Sequence, residues 1–303
     1  MPVFGHVLTA MATPMLADGG LDLDGAQKLA HHLIEMGNDG LVVAGTTGES
    51  PTLSHGETLD LFAAVIDSVG NHASVVAGVG KNDTAATIAL AEEAADLGAD
   101  GIMLVTPYYN RPSVRGLRAH FAAAASAVEL PVLLYNIPSR TACEIAPATL
   151  LTLAEQVPNI AGVKDAVGDM AKASWLIARA PRTFRVYSGD DKNCLPLLAV
   201  GGQGLVSVAA HLVGRQLADM LACFDSDPVA ARRIHLRLLP IFEALFLEPS
   251  PAPLKAALAW LGLPGGTLRL PMVTIGEETA SALHDAMLAV GLALPDPTER
   301  PVP

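Results

Sequence analysis

VVAGVGKNDTAATIALAEEAADLGADGIMLV, residues 75–105, holds one full structural period of the chain. The apolar run Val75–Val79 is followed by a polar turn and then by TAATIALAEEAADLGA (84–99), whose apolar residues recur three or four apart, as on one buried helix face. Gly98 stands where such a helix ends, and Asp100 leads into the next apolar run, Ile102–Val105. Neither run alternates with polar residues, so both read as strands buried on two faces. The same unit recurs in both directions. Further runs are Val7–Met11, Gly40–Ala44, Val132–Tyr135, Ile160–Val163, Phe184–Tyr187 and Gly204–Val208, with helical patterns such as LDGAQKLAHHLIEM (23–36) and VRGLRAHFAAAASAV (114–128) between them. Gly37 and Asp39 repeat the helix-end signal. Eight strands, each followed by a helix, predict a (β/α)8 TIM barrel of the α/β class. An open doubly wound sheet is the alternative, but its glycine-rich phosphate fingerprint is missing.

From about Asp227 the strand signal stops. ARRIHLRLLPIFEALF, PAPLKAALAWLGL and EETASALHDAMLAVGLAL continue in helical period. The chain therefore divides into a catalytic barrel, 1–226, and a C-terminal helical region, 227–303, with PDPTERPVP (295–303) expected to be a frayed tail.

Composition narrows the function. Of 303 residues 51% are hydrophobic and 17% charged, which excludes a disordered chain. A net charge of −12 repels phosphate backbones and anionic membrane surfaces, so neither nucleic acid nor membrane is an expected partner. No apolar run reaches the roughly 18 residues of a membrane span. The opening MPVFGHVLTAMATPM lacks the pattern of an export signal, and a cytoplasmic location is expected. Cys143, Cys194 and Cys223 form no C-x-x-C and read as packing residues.

The active site of a barrel of this kind lies where the strands end at their C-terminal side. After strand 2 comes Gly45-Thr46-Thr47-Gly48-Glu49-Ser50, whose hydroxyls and N–H groups suit a carboxylate; a plain capping turn reads the same way. Strand 4 leads to Thr106-Pro107-Tyr108-Tyr109-Asn110, where a phenol suits proton relay or packing against a neighbouring subunit. Strand 5 ends in Tyr135-Asn136-Ile137-Pro138-Ser139-Arg140-Thr141, placing a guanidinium suited to a bidentate carboxylate grip, or to a surface salt bridge, near a phenol. Strand 6 ends in Gly162-Val163-Lys164-Asp165. Burial there would lower the lysine pKa and free a nucleophilic amine for a Schiff base with a carbonyl substrate, and a lysine paired in the barrel interior for structural reasons is the alternative. Ser188-Gly189-Asp190-Asp191 reads as a helix cap, since no third ligand is spaced for a metal. Gly78-Val79-Gly80-Lys81-Asn82 matches neither dinucleotide fingerprint nor P-loop, and no nucleotide site is expected.

GTTGES, TPYYN, YNIPSRT and GVKDA, in that order, resemble the dihydrodipicolinate synthase family of pyruvate-dependent Schiff-base aldolases, which includes N-acetylneuraminate lyase. The resemblance runs from LTAMATP (8–14) to EPSPAPLKAAL (248–258) and LRLPM (268–272). It implies condensation of pyruvate with L-aspartate 4-semialdehyde in lysine and diaminopimelate biosynthesis. Lys164 would carry the Schiff base, Tyr135 would relay protons, and Thr46 would link it to Tyr109 reaching across a dimer interface. Thr47 would hold the pyruvate carboxylate, Arg140 that of the semialdehyde, and backbone at Gly189 and Val206 would line the cavity. It implies a homotetramer, a dimer of dimers, with no metal or organic cofactor. Cleavage of a sugar-derived 2-keto acid by the same lysine and tyrosine is the nearest alternative, and an idle barrel acting as a binding subunit is the alternative of another class. Thr47 and Arg140 favour the synthase. Thr58 and Ala86 stand where lysine-inhibited members carry His and Glu, so weak or absent inhibition by lysine is expected.

Overall fold

Among the described residues, 3–294 of the computed structural model, eight parallel strands close on themselves in chain order, β1 pairing with both β2 and β8. They are β1 Val7–Ala10, β2 Gly40–Val43, β3 Ser74–Gly78, β4 Gly101–Val105, β5 Val132–Asn136, β6 Ile160–Asp165, β7 Arg185–Ser188 and β8 Gly204–Ser207. Each predicted run falls on its strand to within a residue or two. The largest difference is β6, which runs on through Lys164 and Asp165. The intervening helices are α1 Leu23–Glu35, α2 His55–Val69, α3 Thr84–Asp96, α4 Val114–Ser126, α5 Pro138–Thr141, α6 Pro147–Gln156, α7 Met170–Ile177, α8 Cys194–Ala199 and α9 Ala210–Cys223. α10 Pro228–Ala244, α11 Ala252–Trp260 and α12 Glu277–Ala289 follow, with α10 packed on α9 and α12. The predicted tail 295–303 lies outside the described residues. No helix among those described is long and apolar enough to cross a membrane.

The strand period of two sorts the barrel into two apolar layers. Leu8, Val42, Val76, Met103, Leu133, Tyr135, Tyr187 and Val206 fill the interior, while Val7, Leu41, Val75, Ile102, Val132 and Val186 face the helices. Phe4 closes the bottom: a Cβ at Gly101 would lie 2.5 Å from its ring, so only glycine fits there. The helix-end signals also set the bottom of the barrel. Gly37 and Gly98 take φ of 87° and 91°, left-handed values that glycine reaches without a Cβ penalty. The acid that follows each then reaches sideways. Asp39 accepts from the N–H groups of His6 (2.6 Å) and Val7 (2.9 Å), and Asp100 from Val75 N–H (2.8 Å). Asn159 donates to the carbonyls of Ala125, Val128 and Leu130 at 2.8–3.1 Å. These side chains satisfy backbone groups at the strand entrances, leaving the opposite end free for chemistry.

Candidate active site

Whether Lys164 faces inward depends on one irregularity. β6 opens with Ile160 beside Val132, both in the outer layer, but the register then shifts so that Gly162 faces Leu133. The extra residue, Ala161, reverses which face the following side chains take. Val163 therefore packs outward and Lys164 inward, in register with Tyr135 on one side and Tyr187 on the other. The Lys164 Nζ lies 4.2 Å from the centroid of the Tyr135 ring. Only 4% of the lysine is exposed, and burial pulls its amine down to about 7. The Asp191 charge opposes that fall, and the Arg140 charge adds to it. Burial pushes the Tyr135 phenol up to about 12, against the pull of its hydrogen-bonding partner Thr46 and of Arg140. At neutral pH the pair is thus an amine that is about half free, beside a protonated phenol. Gly189 completes this wall. A Cβ there would sit 2.9 Å from Ala166 Cβ and 3.2 Å from Lys164 Cγ. Val206 is buried in the same interior layer.

Thr46 and Thr47 ride on the turn after β2, where Ala44 and Glu49 both adopt φ of 53°. Glu49 N–H donates to Thr46 O at 3.1 Å, and Gly48 O accepts from the Thr13 hydroxyl at 2.6 Å. Thr47 is buried. The far side of the turn is held from the C-terminal helical region. The Glu49 carboxylate pairs with Lys255 Nζ at 2.5 Å and accepts from Arg269 N–H at 3.2 Å; both Glu49 and Lys255 side chains are almost wholly buried. Arg269 donates to Thr52 O and Gly19 O, 2.8 Å each, and forms a two-pronged pair with Glu57, whose carboxyl it holds down at about 2. This clasp spans more than two hundred residues of sequence, and no local pattern announces it.

After β5, Asn136 exchanges hydrogen bonds with the backbone of Ile145 at 3.1 and 2.9 Å, and the Thr106 hydroxyl donates to Thr141 Oγ1 at 2.8 Å. The loop so fixed presents Arg140, which also donates to Ser250 O at 3.4 Å. Arg140, Thr46, Lys81 and Tyr108 line a cavity of ≈ 250 Å³ at this end of the barrel. A wider cleft of ≈ 410 Å³ around Arg182, Arg185 and Gln203 opens at the strand entrances, away from Lys164.

The structure therefore brings Lys164, Tyr135, Thr46, Arg140, Gly189 and Val206 to one end of the barrel, with Thr47 buried in the adjoining turn. Tyr109 is not gathered with them in the single chain. It is 91% exposed at φ of 73°, and Tyr108 takes the place on the cavity wall. The expected cap at Asp190-Asp191 holds for only one of the pair. Asp190 accepts from Lys192 N–H at 3.2 Å. Asp191 is instead buried, accepting the Ser207 hydroxyl and, at 3.2 Å each, the N–H groups of Val208 and Ala209. Burial raises its carboxyl pKa against the pull of those donors. The motif pattern marked it as a cap of its own turn; its donors come instead from the end of β8 and the residues that follow. Among the described residues no group of three His, Cys, Asp or Glu is placed to hold a metal ion.

The profile of the Dihydrodipicolinate synthetase family matches residues 3–290. The chain belongs to that family. As a dihydrodipicolinate synthetase family member it is 52% identical, over 95% of its length and 99% of the relative's, to a 4-hydroxy-tetrahydrodipicolinate synthase of Moorella thermoacetica. A synthase of the same name from Symbiobacterium thermophilum is 50% identical over 96% of this chain and all of the relative. Among solved structures of the family, the enzyme from Cyanidioschyzon merolae with lysine bound superposes with a TM-score of 0.95 at 43% identity, covering 97% of this chain and all of that one.

Proposed function

We propose that this protein joins pyruvate to L-aspartate 4-semialdehyde through a Schiff base on Lys164 to give 4-hydroxy-tetrahydrodipicolinate. The observation that carries the reading is the buried Lys164 amine, held at about 7 over the Tyr135 ring, in a family member whose close relatives bear the synthase name. The free amine adds to the keto carbon of pyruvate, and the resulting carbinolamine loses water to form the imine. Loss of a methyl proton gives an enamine, whose carbon attacks the aldehyde and forms the new carbon–carbon bond. The semialdehyde's own amino group then adds to the imine carbon, closes the ring and releases Lys164. One water leaves in the sum.

Each step needs a proton moved at an atom beside Lys164, the methyl carbon included, and the Tyr135 phenol is in register to move it, with Thr46 as its partner. Thr47 holds the pyruvate carboxylate. Arg140 holds that of the semialdehyde in a two-pronged grip, and Gly189 and Val206 line the wall. Tyr109, so exposed in one chain, serves a neighbouring subunit's site across a tight dimer interface, and two such dimers form a homotetramer. The enzyme works in the cytoplasm and needs neither metal nor organic cofactor. Thr58 is buried and donates to Ser54 O at 2.9 Å, so it offers an effector no side chain in place of histidine, and lysine inhibits weakly or not at all.

The test is turnover of pyruvate with aspartate 4-semialdehyde, coupled to the following reductase and read as NADPH consumption. Cleavage of N-acetylneuraminate and of 2-keto-3-deoxygluconate runs alongside. Synthase turnover is the expected result. Cleavage of a sugar acid without synthase turnover, while borohydride still traps pyruvate on Lys164, would keep the chemistry and replace the aldehyde. No trapped adduct at all would overturn the Schiff base and leave a barrel that only binds.

A further inference from the structure

Lys81 lies in the GVGKN stretch, residues 78–82, which matches no nucleotide motif. Its backbone N–H donates to Thr87 Oγ1 at 3.1 Å, which ties it to the first turn of α3. The residue is half-buried and lines the same ≈ 250 Å³ cavity as Arg140. No ion pair of Lys81 is found among the described residues, and burial alone, with no carboxylate opposing it, lowers its amine below the ordinary lysine range. The cavity wall adds the hydroxyls of Thr46, Ser50 and Tyr108 and contains no acidic side chain. In a chain of net charge −12, the lining of this cavity holds two cations and no counter-charge.

A partly desolvated ammonium is unfavourable unless something anionic meets it. In the reaction proposed above, Thr47 takes the pyruvate carboxylate and Arg140 that of the semialdehyde. Lys81 is left over. A molecule that carries two carboxylates a few carbons apart has one to offer each cation of the cavity, and the hydroxyls of the wall are there to meet its remaining lone pairs.

We propose that Lys81 and Arg140 together bind a short dicarboxylate, one carboxylate to each cation, and that this dianion inhibits by taking the place of the aldehyde substrate. The inhibitory half rests on the reading of Arg140 given under the proposed function; the binding half does not. The dianion has two possible sources, the reaction's own ring product, which carries two carboxylates, or a separate open-chain diacid.

Isothermal titration of the full-length protein with succinate, glutarate and butyrate reads binding without any turnover. The diacids are expected to bind at least about tenfold more tightly than butyrate, the range of a charged hydrogen bond gained. Lys81→Met removes that advantage, and Lys81→Arg, which keeps the charge, restores most of it. Equal affinity for succinate and butyrate, or a Lys81→Met protein that still prefers the diacid, overturns the proposal. Thermal unfolding of Lys81→Met confirms that the variant is folded. The source is then read from progress curves. If product is the dianion, wild-type curves bend when the coupling reductase is limiting and those of Lys81→Met stay straight. If only added succinate slows the wild type, competitively with the aldehyde, the dianion is a separate diacid. Diacid binding that depends on Lys81 but leaves turnover untouched at saturation overturns the inhibitory half.

Discussion

Replacing Lys164 by methionine is expected to make the protein more stable near neutral pH, by an amount that shrinks as the solution becomes alkaline. The folded protein holds this amine at about 7, whereas in the unfolded chain it titrates near the ordinary lysine value of about 10.4. Between these values the unfolded chain carries a proton that the folded one does not. Stability therefore rises with pH across that window, and the cost is full below 7. At pH 7.5 the penalty is about 4 kcal/mol, and at pH 9.5 it is about 1 kcal/mol. Methionine has similar volume and no charge to desolvate, so Lys164→Met removes the penalty without opening a large cavity. Asp191 loses the cation that faces it but keeps its donors from Ser207, Val208 and Ala209, which trims the gain without reversing it. Urea unfolding of both proteins at pH 7.5 and 9.5, at one ionic strength and one protein concentration, measures the difference. A gain of the same size at both pH values would place its origin in packing. A loss of stability at pH 7.5 would mean that the buried amine is not strained toward neutrality, and the account of its nucleophilicity would fall with it.

Two other substitutions probe the surroundings of the site. Gly189→Ala puts a methyl 3.2 Å from Lys164 Cγ and 2.9 Å from Ala166 Cβ, so borohydride trapping of pyruvate should slow by about tenfold or more while the fold persists; trapping at the wild-type rate would show that the wall yields. Lys255→Met strands the Glu49 carboxylate in the interior and should cost about 3–5 kcal/mol of stability, whereas the double variant Glu49→Gln/Lys255→Met should recover most of that and still show a raised KM for pyruvate, because the turn bearing Thr46 and Thr47 has lost its anchor. An unchanged pyruvate KM in the folded double variant would confine the clasp to stability.

The barrel was legible because strands buried on both faces leave continuous apolar runs and helices leave a three-to-four spacing, two signals that each short segment carries by itself. The placing of Lys164, Tyr135 and Arg140 at one end of the barrel was legible because each ends or follows a strand. Other features depend on relations between distant segments. Nothing in IAGVKD says that Ala161 is the extra residue of a register shift, yet without it Lys164 would share the outward face of Ile160. Tyr108 and Tyr109 are adjacent phenols in the sequence. A left-handed backbone at Tyr109 sends one to solvent and leaves the other on the cavity wall. The cap reading of Asp191 failed because its donors come from Ser207 and the start of α9 rather than from its own turn. GVGKN resembles a phosphate loop and gives no local sign of what surrounds Lys81; the cavity shows it as a cation with no ion pair among the described residues.

The clasp on Glu49 also orders events in time. β8 closes the barrel at Ser207, but the residues that anchor the β2 turn, Lys255 and Arg269, are made later. At synthesis rates of about 5–20 residues per second, several seconds separate the two on the ribosome. During that interval a nascent chain has every strand of the barrel and Lys164, but the turn bearing Thr46 and Thr47 is still unheld. The segment from α11 to Arg269 thus completes the turn's support last: only after it is made can Thr46 and Thr47 be held as they are in the folded chain.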